Sequence, residues 1–329
     1  MVREIVIIIV AVFVIGCSNE LELFTEPKPE PIITSILDLY SNVHYVRVQR
    51  TYQGYESTAF DINSDELYFN SVQVRLYGVR KGDTVWAIPF SEVQLSKEDG
   101  KFPNTEHRVY KYDGYLQLQD QKGLIESLIL KVNVADINME SIAKTSVLEP
   151  LQFSFSGGSL KRLQLFGDYI SAISLKTRRL VDGLNKFSYK ELSFNCIVRE
   201  IFPEEIRIDT VCWTTNQGWD MGTGPYFVFP ERIFNRLSRI LIPNDTLLAR
   251  NLISISITGR IPDLAFEEMY VTSINRADRD INPFTNFSNG YGIFVGVSSE
   301  TKQGLTLAYR SMDSLCMSPR WQHLKFKTW

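Results

Sequence analysis

The amino-acid sequence predicts a mainly β protein: a β-sandwich followed by a second β-rich domain with one or two short helices. Three observations predict this. Several stretches alternate apolar and polar residues with the two-residue period of a half-buried strand. Turn-forming groups such as Ser41-Asn42 and Arg80-Lys81-Gly82-Asp83 separate these stretches at short intervals. Aromatic residues make up 12% of the chain, with 15 Tyr and 20 Phe, and aromatics pack well on pleated surfaces.

In order along the chain, Ile32 to Leu39 is apolar, and Val43 to Arg50 alternates, with His44 on the polar, solvated side. Val72 to Tyr77, Thr84 to Phe90, His107 to Tyr112 and Leu124 to Val134 continue the series. Short alternating strands at this spacing predict an immunoglobulin- or fibronectin-like sandwich over residues 32–150, ending near Leu148-Glu149-Pro150. Residues 151–329 then form the second domain. Phe187 to Ile201 and Ile206 to Thr215 flank Phe202-Pro203-Glu204-Glu205 as a long hairpin. Residues 230–241 open on a proline and carry Ile233, Leu237 and Ile240 at helical spacing. Residues 262–273 open on Pro and Asp, which suits a second helix. Leu252 to Thr258 reads as a strand, and Ile293 to Val297 and Leu305 to Tyr309 close the sheet around a turn through Glu300 to Gly304.

The first residues depart from this pattern. Arg3 and the amino terminus are followed by an unbroken apolar run from Ile5 to Ile15. The run is shorter than the roughly 20 residues that span a bilayer, and it suits the apolar core of a signal peptide. It ends in Val14-Ile15-Gly16-Cys17, which resembles the lipobox of bacterial lipoproteins. Small Gly16 admits a signal peptidase, and the Cys17 thiol is the nucleophile that takes a diacylglycerol. Residues 1–16 are thus read as a signal peptide, and residues 17–31 as a lipidated cysteine with a tether. Three alternating prolines, Pro27, Pro29 and Pro31, make that tether extended and stiff. Stable anchoring takes more than one acyl chain, as a mature lipoprotein carries. Ser18 follows Cys17 where an Asp can act as an inner-membrane retention signal in enteric bacteria, so the expected location is the outer membrane, on its periplasmic face or at the cell surface.

Net charge is −3, which gives no sign of a nucleic-acid binder. The three histidines, His44, His107 and His323, form no metal-ligand spacing, and no metal or cofactor is expected. No nucleophile elbow, phosphate loop or dinucleotide fingerprint is present. Glu204-Glu205 and Glu267-Glu268 are adjacent, so in a strand they face opposite ways and make no acid–base couple. The expectation is therefore a non-enzymatic binding role with no catalytic residues; the alternatives are a stand-alone surface adhesin or glycan-binding module and, behind it, a hydrolase with dispersed carboxylates. Trp213 to Tyr226 reads as a binding loop for a glycan or a protein, with Trp213, Asn216, Trp219 and Tyr226 as its contact residues. The alternative is a loop whose Trp side chains fold back into the sandwich.

One phrase resembles a known family. Asn282-Pro283-Phe284, then Asn286 and Asn289-Gly290-Tyr291-Gly292-Ile293-Phe294, is similar to a pattern in an uncharacterised family of Bacteroidota outer-membrane lipoproteins. The hairpin through Val43 to Val48, the Cys212-Trp213 pair and late Cys316 are also similar to it. Ser18-Asn19-Glu20-Leu21-Glu22 resembles the surface-export signal of such lipoproteins. The resemblance implies a lipid-anchored protein associated with a TonB-dependent transporter and supplies no catalytic residues. Physically, Asn289-Gly290 favours a tight turn with positive φ, and Gly292 permits close backbone approach. Asp83-Thr84-Val85, Asp209-Thr210-Val211, Asp245-Thr246-Leu247 and Asp313-Ser314-Leu315 resemble the Bacteroidota O-glycosylation triplet, with the loop triplet at Thr246 the best placed. With Cys17 lipidated, Cys196, Cys212 and Cys316 remain for an oxidising compartment. The preferred bond is Cys212 to Cys316, which would pin the tail and which the resemblance favours; its rival is Cys196 to Cys212, set opposite each other by a turn centred on Glu204, and either leaves one free thiol.

Overall fold

The structure is a computed structural model that describes residues 28–51, 67–96, 107–156, 161–166, 170–177, 189–216, 226–242, 244–274 and 285–328. The signal segment, Cys17 and the first tether residues lie outside these. The fold is mainly β, as the alternation predicts. Strands β1 (Pro31–Asp38), β2 (Val43–Arg50), β3 (Val72–Arg80), β4 (Asp83–Leu95) and β5 (His107–Asp113) come first. The short β6 (Gln119–Asp120) and β7 (Gly123–Leu124) follow, then β8 (Ser127–Val134) and β9 (Met139–Ser146). The remainder holds β10 (Gln152–Ser156), β11 (Arg162–Leu163), β12 (Ala172–Lys176), β13 (Glu191–Ile201), β14 (Ile206–Asn216) and β15 (Tyr226–Phe227). It continues with α1 (Pro230–Ile240), β16 (Ala249–Pro262), α2 (Leu264–Ile274), β17 (Tyr291–Leu307) and α3 (Tyr309–Met317).

The seven longer strands of the first half pair in the order β1-β2-β5-β4-β3-β8-β9. Strand β4 serves two neighbours: residues 83–90 lie on β3 and residues 91–95 on β5. A boundary near residue 150 does not separate two sheets. Strand β1 runs parallel to β17 through seven paired positions, from Ile32↔Tyr291 to Asp38↔Val297. Through β17 the order continues to β16, β13 and β14, and β11, which pairs with β17 off this path, completes one 12-stranded sheet. The far end of the path, β9, also returns to this region: Ala143 bridges Phe287, and the Gly296 amide donates to Thr145 Oγ1 at 2.8 Å. One core cluster accordingly contains Ile33 and Val46 from the first half together with Phe194, Phe234 and Phe294 from the second.

Parity decides which side chains enter that core. In β2, Val46 and Val48 face inward, so His44 does too. The sequence reading places His44 on a solvated face; the structure buries it at 2% exposure, stacked on Tyr112 with ring centroids 5.9 Å apart. Its Nε2 lies 3.2 Å from the Gly114 carbonyl. Burial lowers its pKa from the ordinary imidazole value, because the charged form loses its water.

The β13–β14 hairpin and both predicted helices are present. Proline opens α1, where a missing N–H costs nothing, and Ile233, Phe234 and Leu237 pack beneath it, Phe234 edge-on to Trp321 at 5.0 Å. The predicted turn at Glu300 to Gly304 is instead the interior of a 17-residue strand. Register passes from Ile257↔Lys302 to Ile255↔Leu305, which leaves one extra residue on β17. Gly304, at φ +68°, absorbs it as a bulge. The glycine signal was thus a kink rather than a reversal, and the chain beyond Ala308 turns into α3.

Candidate functional site

Strand β1 presents Thr34, Ile36 and Asp38 on the face opposite the core. On the same face β17 presents Ile293, Val295 and Val297, which are covered by Phe266 and Met269 of α2. The helix stops short of β1, so Ile36 stays 55% exposed. The result is a groove of about 350 Å³ lined by Ile36, Asp38, Glu191, Arg260, Phe266 and Val297 among others. That volume is at the lower end of ligand pockets.

Register assembles the polar end. Glu191 and Arg260 are directly paired across β13 and β16, and Arg260 Nη1 donates to Glu191 Oε1 at 2.7 Å. The same nitrogen reaches Ser193 Oγ at 3.3 Å. Tyr189 leans on Phe266 with centroids 4.9 Å apart. Asp38 accepts from the Tyr40 amide at 3.2 Å and from the Ser299 hydroxyl. Tyr40 in turn donates its hydroxyl to the Leu148 carbonyl at 2.7 Å, and burial, reinforced by Glu149 and Asp38, pushes its pKa up to about 12. Every charged group in the groove is therefore already engaged. What the groove offers is its shape and an apolar floor of Ile36, Phe266 and Val297 beside these engaged polar groups.

The residues singled out in the sequence are dispersed. Trp213 is not a loop residue: it lies in β14, paired with Phe194, and the two rings stack at 5.2 Å on the core side. Tyr226 is buried at 4% in β15, with the Arg232 guanidinium 4.7 Å from its ring centre. Asn216 is the last residue of β14, and Trp219 lies outside the described residues. Tyr226 is thus closed to a ligand, while Trp213 is half-buried in its strand. The predicted disulfides are not present: Cys196, Cys212 and Cys316 are all free. For the hairpin pair the reason is register. Ile201 pairs with Ile206, so Cys196 opposes Val211 and Cys212 opposes Asn195. A one-residue offset sends two side chains to opposite faces. Cys196 is buried, and burial, with Cys212 nearby, raises its pKa to about 12. Burial likewise raises Cys316, with Asp313 adding to it. His323 meets Ser238 at 2.9 Å, remote in role from His44. Among the described residues no three His, Cys, Asp or Glu side chains gather as metal ligands do. Thr246 is exposed in a turn, where its hydroxyl donates to Asn244 Oδ1 at 2.7 Å.

The Asn289–Phe294 phrase has a structural role. Asn286 bonds the Phe294 backbone in both directions, at 2.6 and 2.9 Å. Asn289 donates to the Glu140 carbonyl at 2.7 Å, and its own carbonyl accepts from Ser141 at 2.6 Å. Gly290 and Gly292 hold positive φ against Pro31 and Ile33. The phrase is the place where β1, β9 and β17 meet.

No protein-family model matches the chain, and no characterised protein matches its sequence.

Proposed function

We propose that the protein is a lipid-anchored lipoprotein of the outer membrane that binds a partner without transforming it, acting beside a TonB-dependent transporter. The observation that carries the anchoring is the apolar run closing on Gly16-Cys17, followed by a proline tether that leads directly into β1 at Pro31. The binding role is supported by the groove along β1, where Arg260 pairs with Glu191, Asp38 is held by the Tyr40 amide and the Ser299 hydroxyl, and Ile36 stays open. The transporter comes from the family resemblance.

A photo-crosslinking amino acid introduced at Ile36 tests the reading in intact cells. Mass spectrometry of the adducts is expected to recover one TonB-dependent transporter, and the same label at exposed Tyr115, in the β5–β8 connection, is expected to recover none. Equal recovery from both positions, or none from Ile36, would contradict the proposal.

A further inference from the structure

The long sheet has two ends, and they are finished differently. At one end β9 is covered: the Ser288 amide donates to the Ile142 carbonyl at 2.8 Å, and Ile142 donates back to Ser288 Oγ at 3.0 Å. At the other end, no strand among the described residues pairs with the outer edge of β14. Proteins blunt such edges with lysine, proline, bulges or inward-pointing charges, and here only the last is present, as Arg207 and Asp209 beside Ile240 and Asp245. Strand β14 reads Ile-Arg-Ile-Asp-Thr-Val-Cys-Trp-Thr-Thr-Asn, with neither lysine nor proline, and its ladder with β13 runs through 11 pairs without a register shift.

The first five residues of β14 are exposed on both faces; inward burial begins only at Val211. Ile206 and Ile208 are 65% and 66% exposed on one face. Arg207 and Asp209 stand on the other. Arg207 touches Glu205 of its own turn, with its guanidinium 5.0 Å from the Phe202 ring centre, and remains largely in solvent. An exposed pair of that kind contributes little and is readily exchanged.

We propose that this edge pairs with the same edge of a second copy, antiparallel and centred on Ile208. The two-fold register sets Arg207 against Asp209 of the copy and Asp209 against Arg207, so both charges on one face are met. On the other face Ile208 meets Ile208, and each Ile206 meets a Thr210. Directly opposed side chains in such a ladder have Cβ atoms about 4.5–5.5 Å apart, close enough for both contacts. Sliding the register to centre on Val211 would instead place both charges opposite uncharged residues. The chosen register overlaps only residues 206–210, all of which are exposed. A membrane is a poor occupant for this patch. The tip lies beside the far end of β17, whereas Pro31 lies beside its start at Tyr291. With 17 residues in β17, the two are separated by about 50 Å. The inference does not depend on the groove or on the transporter.

Cysteine crosslinking in cells producing the full chain tests it. In a Cys212→Ser background, Ile208→Cys is expected to give a reducible dimer with a mild thiol oxidant. Thr214→Cys, on the same face but outside the overlap, is expected to give none. Arg207→Asp should lower the Ile208→Cys dimer at least tenfold, and Arg207→Asp with Asp209→Arg should restore it. Dimers of equal yield from positions 208 and 214, a crosslink from 208 to a different protein, or a charge swap that fails to restore the dimer would each overturn the proposal.

Discussion

Gly292→Ala is expected to leave little folded protein. The residue sits at φ +123° in β17, directly beside the paired backbone of β1, and an added Cβ would run into the Ile33 carbonyl, carbon and amide nitrogen. Backbone cannot swing aside as a side chain can, so relief would require parting β1 from β17. That pairing joins the two halves of the sheet. Backbone strain together with a broken ladder places the loss at roughly 4 kcal/mol or more, beyond the usual range for one substitution. Gly304→Ala is the control. It too has positive φ, +68°, but no atom lies within 4 Å of its added Cβ. Only the left-handed conformation is then penalised, at about 1–2 kcal/mol. Urea denaturation of the two variants, followed by circular dichroism, compares them directly. Similar midpoints would mean that the β1–β17 contact is not as close as described.

Arg250→Met carries the second large effect. The Arg250 side chain is 3% exposed and pairs with Glu200 at 2.7 Å. Its two remaining nitrogens donate to the carbonyls of Leu324, at 3.2 Å, and Ile242, at 2.9 Å. Its backbone meanwhile bonds Lys325 and Lys327, so a single residue holds the final segment of the chain against β16. Removing the guanidinium strands a carboxylate that is itself only 14% exposed. Breaking one side of a buried pair costs about 3–5 kcal/mol, because the remaining charge stays uncompensated. Adding Glu200→Leu to Arg250→Met should recover part of that loss, since no buried charge is then left alone. A double variant less stable than the single one would refute the role assigned to Glu200.

What the sequence disclosed, and what it hid, follows from the range of the interactions. Strand existence was legible because alternation is local: β2, β3, β5, β8 and the β13–β14 hairpin all lie where the pattern places them. Parity was legible as well. Val46 and Val48 already point His44 inward, and reading it as a polar neighbour misjudged a face that the valines had determined. The cysteine pairing failed by one residue of register, which the tip sequence Phe202-Pro203-Glu204-Glu205 does not reveal. Sheet order was not legible. Nothing near Ile36 announces Val295 as its neighbour, because the chain between them is longer than the sandwich the strands seemed to form. The groove inherits that difficulty: Asp38, Glu191 and Arg260 come from three strands, each unremarkable alone. The Asn289-Gly290-Tyr291-Gly292 phrase did signal positive φ and close backbone approach, and the structure gives the partner, β1.

The anchoring of the chain through Cys17 is the claim on which the proposed location and role depend. Metabolic labelling with a palmitate analogue, followed by membrane fractionation, tests it most directly. The account predicts labelled wild-type protein in the outer-membrane fraction, and a Cys17→Ala variant that is unlabelled and absent from that fraction. Unlabelled wild-type protein, or a Cys17→Ala variant that still sediments with outer membranes, would contradict it.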